Sequence, residues 1–156
     1  MRRRPGLIVL TLAAAPLLAA CAAGPPVPAT ETAGTDGRQI QVLVEQAALE
    51  AIGADIHQFL ATRDARISWG GGTADAIVST VKDGYRVSVV VLPSGPALER
   101  VRDELVAPPT KLGRLGSATY WACPVDQYGL SFLRFLTGRT SKRVLRSQGF
   151  EVSPPP

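Results

Sequence analysis

Residues 65–92 read ARISWGGGTADAIVSTVKDGYRVSVVVL, and their order decides the fold. Ala65 to Trp69 is a short run with a β-branched and an aromatic side chain, a strand candidate that Gly70-Gly71-Gly72 breaks. Thr73 stands as an N-cap before Ile77, Val78 and Val81, which share one helical face and stop at Gly84. Tyr85 to Leu92 follows, with Val87, Val89, Val90 and Val91 forming the near-continuous apolar run of a strand covered on both faces. A strand, a helix and a second buried strand in this order predict a crossover unit.

The pattern extends in both directions. Upstream, Ile40 to Val44 is long enough for a buried strand and too short for a helix, and Leu49, Ile52, Ile56, Phe59 and Leu60 mark one face of a helix from about Gln46 to Thr62. Downstream, Ser94-Gly95-Pro96 opens a helix carrying Leu98, Val101, Leu105 and Val106, which Pro108-Pro109 ends. Ala118 to Cys123 is a further strand before Pro124. Phe132 and Phe135 with Leu130, Leu133 and Leu136 mark one helix to about Thr137, and Val144 and Leu145 mark another, capped by Gly149. The alternation predicts an α/β domain, a three-layer open sheet with helices on both faces. Arg134, Arg139, Lys142, Arg143 and Arg146 gather on the last two helices, where they read as a solvated face.

The ends of the chain differ from this middle. Arg2-Arg3-Arg4, then an apolar run from Leu7 to Ala15, then Leu18-Ala19-Ala20-Cys21, stand in the order of a signal peptide over residues 1–20. The run is too short to span a hydrocarbon core of about 30 Å. The last four residues resemble a bacterial lipobox, which implies that Cys21 is acylated and holds the mature protein to a lipid bilayer on the extracytoplasmic side. The competing reading is an ordinary secretory signal that ends near a cysteine. Residues 21–37, rich in Pro, Gly and Thr without apolar periodicity, read as a disordered tether. The folded domain is then expected over residues 38–152, with a tail at 153–156.

Charge excludes one class of partner. The 156 residues carry 17 Lys and Arg against 13 Asp and Glu, but three of the basic residues are Arg2 to Arg4, and without them the balance falls to +1. That is no footprint for a nucleic acid. With two cysteines and one histidine the chain offers no zinc site of four cysteines and no His-rich metal site, so neither a metal nor another cofactor is expected.

The chemistry-bearing residues are few. Gly71, Gly72 and Thr73 form the best anion candidate, since exposed amides at a helix N-terminus and a hydroxyl can donate to a tetrahedral oxyanion that glycines let approach. The alternative is a loop that needs positive φ, and no Lys follows to make a P-loop. His57 reads as a surface or half-buried residue rather than a general base, and Cys123 beside Pro124 as a buried, inert thiol. Asp55, Asp64, Asp75 and Asp83 read as solvated charges and caps, and Trp69 and Trp121 as packing between sheet and helices. Nothing assembles a nucleophile, base and metal, so no enzyme is expected.

The succession of strand, long helix, strand, Gly-rich turn, helix ending in Lys82-Asp83-Gly84 and apolar strand resembles the first lobe of bacterial periplasmic solute-binding proteins, most closely the molybdate-binding type. Ser131-Phe132-Leu133-Arg134-Phe135-Leu136-Thr137, Arg143-Val144-Leu145-Arg146 and Gln148-Gly149-Phe150 are similar to that family's ending, and Leu115 to Pro124 to its strand leading into the hinge. The resemblance implies one lobe of a type II periplasmic binding protein, an ABC permease as partner and a small oxyanion such as molybdate or tungstate as ligand. It also has gaps. Only Val125 to Gly129 separate Pro124 from Leu130, where the family has its second lobe; Glu45-Gln46-Ala47-Ala48 stands where it places a Ser, and Ser88 where it places an Asp. Two readings follow: an oxyanion-uptake lipoprotein with weakened binding, or a ligand-free one-lobed lipoprotein that acts through protein contacts at the cell envelope.

Overall fold

The computed structural model describes residues 39–152; Cys21, the signal peptide, the tether and the tail at 153–156 lie outside the described residues. The elements are β1 (Gln39–Glu45), a 3-10 turn (Gln46–Ala48), α1 (Leu49–Thr62), β2 (Arg66–Gly72), α2 (Ala74–Lys82), β3 (Val89–Pro93), α3 (Pro96–Val101), β4 (Thr110–Leu115), β5 (Ala118–Pro124), α4 (Gly129–Leu136) and α5 (Arg139–Ser147). Five strands form one sheet in the order β2-β1-β3-β5-β4. β1 pairs in parallel with β2 and β3, whereas β5 runs antiparallel to β3 and to β4.

The chain is a three-layer α/β domain, and strand periodicity assigns its two cores. Ile40, Val42 and Val44 of β1 and Val89 and Val91 of β3 point to one face, where they meet Ile52, Ile56 and Phe59 of α1, Phe132 and Leu136 of α4, and Leu145 of α5. Leu43, Val90 and Leu92 point to the other, against Ile77, Val78 and Val81 of α2 and Leu98 and Val101 of α3. Burial on both sides is why the β3 sequence is unbroken Val-Val-Val-Leu.

Several boundaries differ from those read in the sequence. The three glycines do not break β2; they are its last residues, held opposite Leu43, Val44 and Glu45 of β1. β3 begins at Val89 and not at Tyr85, because Gly84 at φ +77° turns the chain and leaves Tyr85 67% exposed. α3 stops at Val101, and a 3-10 turn carries the chain to Val106, whose N–H donates to the Pro124 carbonyl. β4 has no counterpart in the hydrophobic pattern, since its Thr-Lys-Leu-Gly-Arg-Leu is interrupted between Lys111 and Gly113 by an irregular register.

The passage from β5 into α4 is a closed turn. Ser88 Oγ donates to Asp126 Oδ2 at 2.9 Å, Asp126 Oδ1 accepts from Gly129 N at 2.8 Å, and Val125 N donates to the Ser88 carbonyl at 2.9 Å. A Cβ on Gly129 would overlap that carbonyl, so only glycine lets α4 start this close to β3. Ser88 also accepts from Gln41 N, which places it at the amino end of β3, away from the glycine end of β2.

Candidate functional site

In an open α/β sheet, ligands sit outside the carboxyl ends of the parallel strands, where neighbouring strands send their connections to opposite faces. Here that point lies between β1, which leads to α1 on one face, and β3, which leads to α3 on the other. Glu45 ends β1 and Gln46 follows it, Gly72 ends β2 and Thr73 follows it, and Ser94 and Gly95 follow β3.

Glu45 dominates the site. It is the N-cap of the turn that opens α1, and its Oε2 accepts from Ala47 N at 3.0 Å. The same oxygen accepts from the hydroxyl of Tyr120, 2.8 Å away on β5. Burial pushes the Tyr120 hydroxyl up to about 12, and the hydrogen bond to Glu45 and the carboxylate charge push in the same direction. Tyr120 therefore stays a donor throughout the physiological range. A helix-entry amide and a hydroxyl are the donors an anion would seek, and a carboxylate of the chain itself holds both.

The residues singled out in the sequence have other duties. Gly71 is required by packing, because a Cβ there would lie 2.5 Å from Leu49 Cδ2 and 2.7 Å from Gln46 Oε1. Neither Gly71 nor Gly72 has a positive φ. Thr73 is the N-cap of α2, as expected, and its Oγ1 accepts from Ala76 N at 3.3 Å. His57 is exposed on α1 and meets the ring of Trp69 edge-on at 5.2 Å. Cys123 is fully buried, and burial raises its thiol to about 12, well away from a reactive thiolate. Asp75 pairs with Arg100 on α3.

Asp55 departs from the sequence reading. It is not a solvated charge: its relative exposure is 0%, its Oδ2 accepts from Ser141 Oγ of α5 at 2.8 Å, and its Oδ1 has no partner. Burial lifts its carboxyl to about 7, although the Ser141 hydrogen bond acts against the shift. At the carboxyl end of β3, bordered by Ser94 and Gly95, a groove of about 570 Å³ lies between α3 and the 105–109 segment, with Leu98, Leu105, Val106, Pro108 and Trp121 in its walls. Its charged members Glu99 and Arg102 pair with each other at 2.8 Å. Among the described residues no group of three or more His, Cys, Asp or Glu is placed to hold a metal ion, and no helix is long and apolar enough to cross a membrane.

No protein-family model and no curated protein matches the chain. Among solved structures, it is similar to one described as the substrate-binding domain of a molybdenum ABC transporter from Clostridium difficile, with 10% identity and a TM-score of 0.45. The match covers 49% of this chain and 35% of that one, so it spans about a third of that protein's length.

Proposed function

We propose that this chain is a membrane-anchored, extracytoplasmic lobe of the solute-binding kind, tethered through an acylated Cys21, that works through protein contacts and not by carrying a small oxyanion. Glu45 is the observation that carries the reading. Its carboxylate already takes the Ala47 amide and the Tyr120 hydroxyl at the point where an oxyanion would enter. Two unit charges about 4 Å apart at an effective dielectric of about 20 repel by about 4 kcal/mol, nearly three powers of ten in affinity. A bound oxyanion beside Glu45 would suffer both that repulsion and the loss of its donors.

A second reading keeps the oxyanion and its ABC permease, with Gly71, Gly72 and Thr73 as half a site completed by another protein surface. Thr73 favours it, being exposed at the head of the nine-residue α2. Calorimetric titration of the protein with molybdate, tungstate and sulfate separates the two. No binding heat is expected for the monomer, and a submicromolar dissociation constant for any of the three would overturn the protein-contact reading. Glu45→Ser should recover weak binding if the carboxylate is the obstacle.

A further inference from the structure

Charge is not spread evenly over this domain. Residues 39–128 hold eight Lys and Arg interleaved with ten Asp and Glu, whereas residues 129–147 hold five basic residues and no acid. Four of the five belong to α5. At about 100° per residue, Arg139, Lys142, Arg143 and Arg146 fall within about 100° of arc, on the side of the helix opposite the buried Ser141 and Leu145. Arg139, Arg143 and Arg146 are exposed and Lys142 partly so, and Arg134 is exposed on the neighbouring α4. None of the five is paired with an acid among the described residues, where the ion pairs are Arg100 with Asp75 and Arg102 with Glu99. The stripe costs the helix stability. Like charges three and four residues apart repel, and α5 opens on Arg139 with no acid in its first turn, where the helix dipole favours one. Solubility alone would be met as well by a mixed face.

We infer that this stripe lies against a surface of anionic phospholipid headgroups and sets the orientation of the domain on its membrane. The inference rests on the anchored reading of Cys21, which brings the chain to a bilayer. Seventeen residues, 22–38, separate Cys21 from β1 and span at most about 60 Å. The anchor alone therefore lets any face of the domain meet the lipid, and the stripe selects one. Each basic residue close to an anionic membrane is worth about fivefold, so four on one face favour that contact by several hundredfold over a face turned away. The acid-rich remainder is repelled by the same surface, which sharpens the preference. No apolar or aromatic side chain stands between Arg139, Lys142, Arg143 and Arg146 on that arc, so the helix rests on the headgroups and does not insert. Because α5 packs on the α1 side of the sheet, contact there turns α3 and its groove away from the membrane, toward a protein partner.

Fluorophores on single introduced cysteines test this in the acylated full-length protein reconstituted into vesicles. Ser147→Cys places one at the end of α5 and Ser79→Cys one on α2, both at exposed positions on opposite layers, while the buried Cys123 takes no label. In vesicles of equal phosphatidylglycerol and phosphatidylcholine at about 0.1 M salt, a headgroup-borne quencher should act at least about threefold more on the label at 147 than on the label at 79. The contrast should vanish in phosphatidylcholine alone, at about 1 M salt, where the Debye length falls to about 3 Å, and in a variant combining Arg139→Gln, Lys142→Gln, Arg143→Gln and Arg146→Gln. Removing as much charge elsewhere, by Lys82→Gln, Arg86→Gln, Lys111→Gln and Arg114→Gln together, should preserve it. A contrast that persists in neutral vesicles, or that both fourfold variants abolish alike, overturns the inference. Equal quenching at both positions in every vesicle also overturns it and leaves the stripe to an acidic protein partner. A chain that joins no vesicle fails the anchored reading and this inference with it, whereas a chain that joins them without contrast fails the inference alone.

Discussion

Replacing Asp55 by Asn should flatten the pH dependence of stability. The carboxyl is fully enclosed between α1 and α5 with one oxygen unpartnered, and burial moves it from 3.8 to about 7. Because the folded-state value lies above that of the unfolded chain, the folded state holds the proton more tightly. The contribution is fully present below about pH 4 and is lost as pH rises through about 7. A difference of about three pH units corresponds to about 4 kcal/mol, at 1.36 kcal/mol per unit. In a domain of this size about 1 kcal/mol moves the melting temperature by about 4 °C, so the full effect is about 15 °C. The assay is thermal and urea unfolding of both proteins at pH 5, 6, 7 and 8, read as the difference between them at each pH, which cancels the titration of the other carboxylates. The absolute stability of Asp55→Asn is less informative, since the new amide brings a donor that also needs a partner. Curves that run parallel for the two proteins from pH 5 to 8 would refute the assignment.

Gly71→Ala should cost about 1–3 kcal/mol, because its Cβ presses on the movable ends of Leu49 and Gln46, and Gly129→Ala should cost more, because its Cβ meets the Ser88 backbone; denaturant midpoints rank the two. Tyr120→Phe removes the donor to Glu45 and should cost about 1.5–3 kcal/mol at neutral pH. In the native protein that stabilisation should fade between about pH 10 and 12, where the raised Tyr120 finally ionises, and the variant should lack this alkaline limb. Cys21→Ser should move the protein from the membrane fraction to the soluble fraction and abolish palmitate labelling; a native chain that takes up no label would remove the lipid anchor.

Much of the frame was legible because it depends on local periodicity. Ile40–Val44, the α1 face, the Thr73 cap and the Val-rich β3 each carry their signal within a few residues, and the structure places all four in those elements. β4 was not legible: an edge strand with Leu112 and Gly113 as its buried residues has no alternation to detect. Gly70–Gly72 misled because composition marks a break, while their pairing with β1 depends on residues more than twenty positions upstream. The central features of the site are long-range. Glu45 and Tyr120 are 75 residues apart and Asp55 and Ser141 are 86 apart, so neither pairing leaves a spacing signal. A polar residue beside a helical stripe looks solvated until a second helix is known to cover it.

The packing of α1 against α5 also governs the order of events during synthesis. β1, α1 and β2 are made before α4 and α5, so Ile52, Ile56 and Phe59 can pack on the strands early but stay open on their other side until Phe132, Leu145 and Phe150 arrive. The opposite layer, built by α2 and α3 on β1 and β3, draws on residues that emerge earlier. One half of the domain can therefore form while the chain is still being threaded, and the other must wait for its closing residues. High sequence separation slows that last step and leaves an apolar flank open to chaperones or to aggregation while it lasts.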